Sequence, residues 1–141
     1  MIVDGKPVRP IWLDEEQITV KVIDQRQLPH EFVVADLTTV EDVIHAIREM
    51  YVRGAPLIGV TGAYGVMVAA LNGATESDPM AFIDQACRRI KAARPTAVNL
   101  AWGVDRVLAA LPASGSAYWW SSSLLFCAGT KARCHCSSRC A

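Results

Sequence analysis

The chain has 141 residues, enough for one domain with a hydrophobic core, and its 52% hydrophobic and 20% charged content excludes disorder throughout. Fourteen basic and fourteen acidic side chains cancel, so no global field draws the protein to nucleic acid or an anionic membrane, and any anion must be held locally. The amino terminus, MIVDGKPVRP, has no apolar run of signal-peptide length, and AYWWSSSLLFCAG near the end is too short and too serine-rich to cross a bilayer, so a cytoplasmic protein is expected.

Three short segments rich in β-branched and aromatic residues come first: RPIWL, ITVKVID and HEFVVADL, separated by DEEQ and QRQLP. They predict a small antiparallel meander over about residues 9–36 with a structural task. In TTVEDVIHAIREMYVRG, Thr38 and Glu41 offer a capping box, and Val40, Val43, Ile44, Ile47 and Tyr51 recur on one face, which predicts an amphipathic helix over about 39–52. His45 lies off that seam with no second ligand in register, so it reads as a surface or boundary residue. Gly54 and Pro56 are expected to stop the helix.

Pro56 also suits a first helical position, and the helix it opens, about 56–71, is apolar all round and therefore expected at the centre of the core. Gly59, Gly62 and Gly65 each cost about 1 kcal/mol relative to alanine inside a helix, which points to close approach of another backbone along that stripe. They lie within the helix and no G-K-[ST] follows, so a Walker-type phosphate loop is rejected. A third helix, 79–93, is capped by Asp78 with Pro79 at its first position, and Cys87 faces the core as an inert small hydrophobe. The fourth, about 96–111, buries Leu100, Ala101, Val104, Val107, Leu108 and Leu111. The fold class is thus α+β, a small antiparallel β-meander followed by a helical bundle.

From Pro112 onward both apolar periodicities are lost, and no acidic residue follows Asp105. Cys127, Cys134, Cys136 and Cys140 crowd into this tail, 112–141, with His135 among them. Thiolates and imidazole are zinc ligands, but the spacing is not that of paired C-x-x-C zinc sites, and no metal is assigned. A shifted reading frame beginning around 112–116 is the expected origin of the tail, with a disordered tail as the alternative.

Arg53 and Arg94 each sit where one helix gives way to the next. There an arginine can join the free N–H groups and positive end of the following helix in holding an anion, its planar fork being suited to phosphate. It can equally neutralise the carbonyl end of the helix before it. The residue pattern leaves both readings open.

RPIWLDEEQITVKVIDQRQLPHEF, TVEDVIHAIREMYVRGAPLIGVTGAYGV and ARPTAVNLAWGVDRV, in that order and spacing, closely resemble the amino-terminal part of the methylthioribose-1-phosphate isomerases of methionine salvage. The resemblance covers residues 1 to about 111. It implies the amino-terminal domain of the isomerase fold without its Rossmann-like carboxy-terminal domain. It also implies a cytoplasmic homodimer acting on a small sugar phosphate with no cofactor, nucleic acid or membrane. Arg53, Gly54, Ala55 and Arg94 fall on the family's sugar-phosphate-binding positions. The family's catalytic cysteine and aspartate belong to the carboxy-terminal domain and have no match here; Cys127 lacks their surrounding motif, so no catalytic residue is assigned. The truncated chain is expected to be inactive alone. Two other functions occur in the same superfamily: ribose-1,5-bisphosphate isomerase, and regulatory subunits of a translation-initiation guanine-nucleotide exchange factor. Retention of both RGAP and RPTAVNL argues against the regulatory class.

Overall fold

The meander forms from three strands, β3 (Ile11–Asp14), β4 (Thr19–Ile23) and β5 (Val34–Leu37), antiparallel in the order β3-β4-β5. The register pairs Ile11 with Val22 and Val20 with Leu37, so the buried side chains of neighbouring strands lie side by side on one face. The other face is wet: Lys21 bridges Asp14 (3.6 Å) and Asp36 (3.1 Å) across the strands. This one-sided alternation is what a half-buried antiparallel sheet requires. The structure, a computed structural model, describes residues 2–3 and 5–111. Ahead of the meander it contains a pair not expected from the sequence, β1 (Ile2–Val3) against β2 (Lys6–Pro7). Two residues per strand are too few for alternation to show. The tail 112–141, with its zinc-type cysteines and the expected shift of reading frame, lies outside the described residues.

Helix α1 (Val40–Arg48) is amphipathic as expected, with Val40, Val43, Ile44, Ala46 and Ile47 buried. Its cap is one residue further on than the sequence suggested. Thr39, not Thr38, accepts the Asp42 N–H at 3.2 Å, and Asp42, not Glu41, reaches back to the Thr39 N–H at 2.8 Å. Burial alone would raise the Asp42 pKa, but hydrogen bonds from Thr39 and Thr38 outweigh it and hold the carboxyl below its ordinary value. Asp42 wins over Glu41 because its shorter side chain sits in the third helical position, where the closure is local. The helix also ends earlier than expected. Met50 takes a left-handed conformation (φ 59°), and the Tyr51 N–H returns to the Ala46 carbonyl at 2.9 Å. That six-to-one closure stops α1 before Gly54 and Pro56 are reached.

Helix α2 (Ala55–Gly73) packs against α1, α3 and α4, and α1 in turn against β5. It is the central helix the sequence predicted. Its length and apolarity would let it cross a membrane, but 56% of its most apolar window is buried inside this fold, as in a core helix. Thr61, the polar residue within its apolar stretch, returns its hydroxyl to the Leu57 carbonyl at 2.8 Å. Pro56 occupies the second helical position, because Ala55 is already helical. Helix α3 (Pro79–Ala93) starts as expected, with the Asp78 carboxylate accepting the Ala81 N–H at 3.0 Å. Helix α4 spans Val98–Ala110, two residues short of the expected start. Its buried residues are Leu100, Gly103 and Val104, whereas Ala101, Val107, Leu108 and Leu111 are only half-buried because α4 packs at the edge of the bundle.

The glycine stripe is only partly a backbone contact. A Cβ on Gly59 would lie 2.9 Å from the Asn99 carbonyl oxygen, and one on Gly103 would overlap the Gly59 carbonyl. Here α2 and α4 do cross main chain to main chain. Gly62 meets the side chains of Leu100 and Val104 as well as the Leu100 carbonyl, and Gly65 meets only the side chains of Ile90 and Val43. Large aliphatic neighbours, rather than another backbone, explain Gly65.

Candidate anion-binding site

Between the end of α1 and the start of α2 the chain is held from below by the β4–β5 connection. The Gln25 N–H donates to the Tyr51 carbonyl at 2.9 Å, and the Arg53 N–H donates to Gln25 Oε1 at 3.1 Å. Val52 between them is fully buried. Gly54 then turns the chain with φ 90° and ψ 137°, a conformation open to glycine and strained for other residues. It caps α2 with its carbonyl, which accepts the Ile58 N–H at 3.0 Å, and offers no side chain. The N–H groups of Ala55 and Leu57 are left without intrahelical partners, and Pro56 has none to leave. Arg53, Gly54 and Ala55 are all exposed. The result is a bare, positively polarised helix start beside a guanidinium.

Arg94 is placed differently. It is the carboxy-terminal cap of α3 and half-buried, and its carbonyl accepts the Ala97 N–H at 3.0 Å across the Pro95–Thr96 turn. Ala97 caps α4 without a side-chain hydrogen bond. The Leu100 N–H closes back on the Ala97 carbonyl at 2.9 Å, and the N–H groups of Val98 and Asn99 have no intrahelical partner at this helix start. The glycine crossing brings the two starts together. Gly59 lies about 6 Å along α2 from Ala55, and Gly103 about 7.5 Å along α4 from Val98, at 1.5 Å per residue.

Charge separates the two readings of these arginines. Neither guanidinium lies within 4.0 Å of a carboxylate of a described residue. Arg53 lies beyond the left-handed Met50 and past the end of α1, which weakens the helix-neutralising reading for it. Arg94, as the cap of α3, sits where such neutralisation operates. The charge of Arg53 reaches Asp24. Its carboxylate, buried beneath the loop, is held below the ordinary range first by hydrogen bonding to Arg26 and, as the weakest contribution, by the charge of Arg53.

The other sequence candidates settle quickly. Cys87 is buried, and burial pushes its thiol up to about 11, which suits an inert core residue. His45 is exposed on α1, edge-on to Tyr51 with ring centroids 5.5 Å apart. A shallow open depression lined by Glu41, Asp42, Ile44, His45 and Arg48 lies on α1 and includes none of the four expected phosphate-binding residues. Sequence reasoning missed Asp24, which it read as the end of a strand segment, and Gln25 and Arg26, which it treated as part of a spacer between strands. The available signal was a polar DQR directly after the buried end of β4, where a mere spacer needs no buried carboxylate.

Residues 51–126 match the initiation factor 2 subunit family, IF-2B. The chain is 61% identical over 108 residues to a methylthioribose-1-phosphate isomerase of Desulfosudis oleivorans, covering 77% of this chain and 29% of that protein. It is 46% identical over 120 residues to one of Rhizobium meliloti, covering 83% and 32%. Among solved structures, the 5-methylthioribose 1-phosphate isomerase of Pyrococcus horikoshii superposes with a TM-score of 0.64 at 35% identity. The delta subunit of translation initiation factor eIF-2B from A. fulgidus does so at 0.65 and 34%. Each superposition covers 74% of this chain and 30% of the other, and the chain spans about 30% of the length of the curated isomerases it matches. The fold does not discriminate between these two kinds of relative, but with more than half of its residues inside the matched region the chain belongs to the initiation factor 2 subunit family.

Proposed function

We propose that this chain is the amino-terminal, substrate-holding part of a methylthioribose-1-phosphate isomerase, with Arg53, Gly54, Ala55 and Arg94 holding the sugar phosphate. The supporting observation is the start of α2, where Gly54 at φ 90° precedes N–H groups without intrahelical partners, beside an arginine that no carboxylate of a described residue engages. The curated isomerase relatives at up to 61% identity support the same reading.

The chemistry is an aldose to ketose conversion of 5-methylthioribose 1-phosphate. Phosphate on the anomeric oxygen blocks simple ring opening, so the site must promote opening and move hydrogen between C2 and C1 with water excluded. Residues 53–55 and 94 supply binding and charge; they offer no acid or base. These residues by themselves would hold substrate and turn none over, because binding groups cannot supply the roughly 8 kcal/mol or more by which enzymes lower such barriers.

The test is a chimera in which the rest of the Desulfosudis oleivorans isomerase follows the matched region. Arg53→Ala and Arg94→Ala should each cost about 1.5–3 kcal/mol of substrate affinity, roughly ten- to a hundredfold, with little change in melting temperature. Lysine should restore part of the loss, keeping the charge without the fork. If Arg53→Ala unfolds the protein and leaves the affinity of the folded fraction unchanged, Arg53 is a structural residue. A chimera that binds no sugar phosphate would instead favour the regulatory-subunit reading, which the likeness to the eIF-2B delta subunit keeps in view.

A further inference from the structure

We infer that the turn following β4, Asp24 to Arg26, sets the position of Arg53–Ala55, with Gln25 as a positioning residue of the anion cradle; this rests on the reading of that cradle as a phosphate site. Four contacts tie the turn to the loop. The Gln25 main chain donates to Tyr51, and its side chain accepts from the Arg53 N–H, so one residue grips the loop on both sides of buried Val52. The Arg26 guanidinium lies 4.0 Å above the Tyr51 ring, and its Nη1 is 3.8 Å from Glu49.

The turn itself is rigid enough to act as a reference. The Asp24 N–H donates to the Val33 carbonyl at 2.9 Å, and its buried carboxylate accepts from the Arg26 N–H (3.0 Å), Nε (3.0 Å) and Nη2 (2.8 Å). Those bonds fix Arg26 and leave the Gln25 side chain pointing at the loop. The orientation of its amide is set chemically, because the Arg53 N–H needs an acceptor and only the oxygen provides one. Beyond Arg53 the next fixed main-chain group is the Gly54 carbonyl, which α2 holds. Gln25 is therefore the last anchor before the free donors. Removing its acceptor lets Arg53 and the Ala55 N–H drift relative to each other, and a cradle built from one side chain and a helix start tolerates little drift. The meander thus takes part in binding by aligning the cradle from beneath.

The test uses the 141-residue chain, amide hydrogen exchange, and titration with α-D-ribose 1-phosphate followed at the backbone amides. Gln25→Met keeps the volume and removes the acceptor, while Gln25→Glu keeps an acceptor. The Arg53 amide should be protected in the parent and in Gln25→Glu and should lose at least tenfold protection in Gln25→Met. Sugar-phosphate affinity should fall three- to tenfold in Gln25→Met, with melting nearly unchanged. If Gln25→Met does not fold, Gln25→Asn, too short to reach the amide, carries the same expectation. A parent that responds to the sugar phosphate and loses the response in Arg53→Ala, yet keeps full affinity in Gln25→Met, overturns the positioning role and leaves the phosphate reading standing. A parent that gives no response sinks both.

Discussion

The connection from α1 to α2 and the connection from α3 to α4 both pass from a helix end through an arginine and a proline into a new helix, but their mechanics differ. In the first, Arg53 stands clear of the preceding helix, the proline is already helical, and the turn is made by Gly54 at φ 90° with its approach fixed by Gln25. In the second, Arg94 itself caps the preceding helix, the proline belongs to a hydrogen-bonded turn, and Ala97 starts α4 without a side-chain bond. The first connection holds a non-glycine residue, Met50, in the left-handed region and is anchored from outside by Gln25; the second is a local turn. Strain of this kind persists only where the surroundings enforce it, and such sites cluster where ligands are held. On the proposed phosphate reading, the Arg53 connection is the primary anchor for the anion and Arg94 an auxiliary charge.

What the two connections share is the α2–α4 crossing, and breaking it should have the largest effect. Gly103→Ala gains about 1 kcal/mol of helix propensity, but the new methyl has only the Gly59 main chain to displace. Two helices must separate, and overpacking of this kind commonly costs about 1–3 kcal/mol or more. A net loss of about 2 kcal/mol is expected, which thermal unfolding should register as a melting point lower by roughly 10 °C in a domain of this size. A higher melting point would mean that the helices have room to part, and that the two starts are not held in fixed relation.

Gly54→Ala distinguishes the connections directly. A Cβ there meets nothing within 4 Å, so any cost comes from the φ of 90° alone. Strain of about 1–3 kcal/mol, less up to about 1 kcal/mol for the stiffer unfolded chain, leaves a net loss of roughly 1–2 kcal/mol. Chemical denaturation measures it, and an unchanged midpoint would show that the turn can relax to an ordinary conformation.

Acid should loosen the first connection selectively. Folding depresses the Asp24 pKa, mainly through its hydrogen bond to Arg26. The stability this pair contributes is therefore fully present above the unfolded carboxyl value of about 3.9 and lost as the pH falls below it through the folded value. Arg26→Met should lower the melting temperature at pH 7 by a few degrees, with the deficit against the parent narrowing as the pH falls from about 4 through the lowered Asp24 value, below which Asp24 is neutral in both. A deficit independent of pH would assign the effect to lost packing on Tyr51 instead.

These contrasts explain what was legible in the sequence. The central helix, the amphipathic α1 and the Asp78 cap were readable because each is local: a period, or a capping residue a few positions from its target. The stop of α1 was not, since Met50 adopts φ 59° with no glycine to announce it, and the six-to-one closure imposes that conformation against the residue's own preference. The role of Gln25 was equally hidden. Arg53 and Gly54 could be carried over by resemblance, but the bond that fixes them spans 28 residues of chain, and a spacer that meets a distant loop has no periodic signature. Gly103 escaped notice because its partner is a carbonyl on another helix rather than a patterned side chain.

The smallest expected effect completes the contrast and has the opposite sign. Ala97 precedes α4 with φ −85° and ψ 86° and no side-chain bond, leaving the Val98 and Asn99 donors uncapped. Serine at this position has an oxygen suited to a donor in the first turn, and a capping side chain is worth about 0.5–1 kcal/mol over alanine in ordinary contexts. Ala97 is half-buried, beside the exposed Pro95 and Thr96. Ala97→Ser should therefore stabilise the protein by roughly that amount, seen as a rise of a few degrees in melting temperature. If the same free donors contribute to anion binding, the new oxygen competes with the anion, and sugar-phosphate affinity in the chimera should fall severalfold as stability rises. Stability rising with affinity unchanged would show that the start of α4 contributes Arg94 alone, leaving the main-chain part of the cradle to α2.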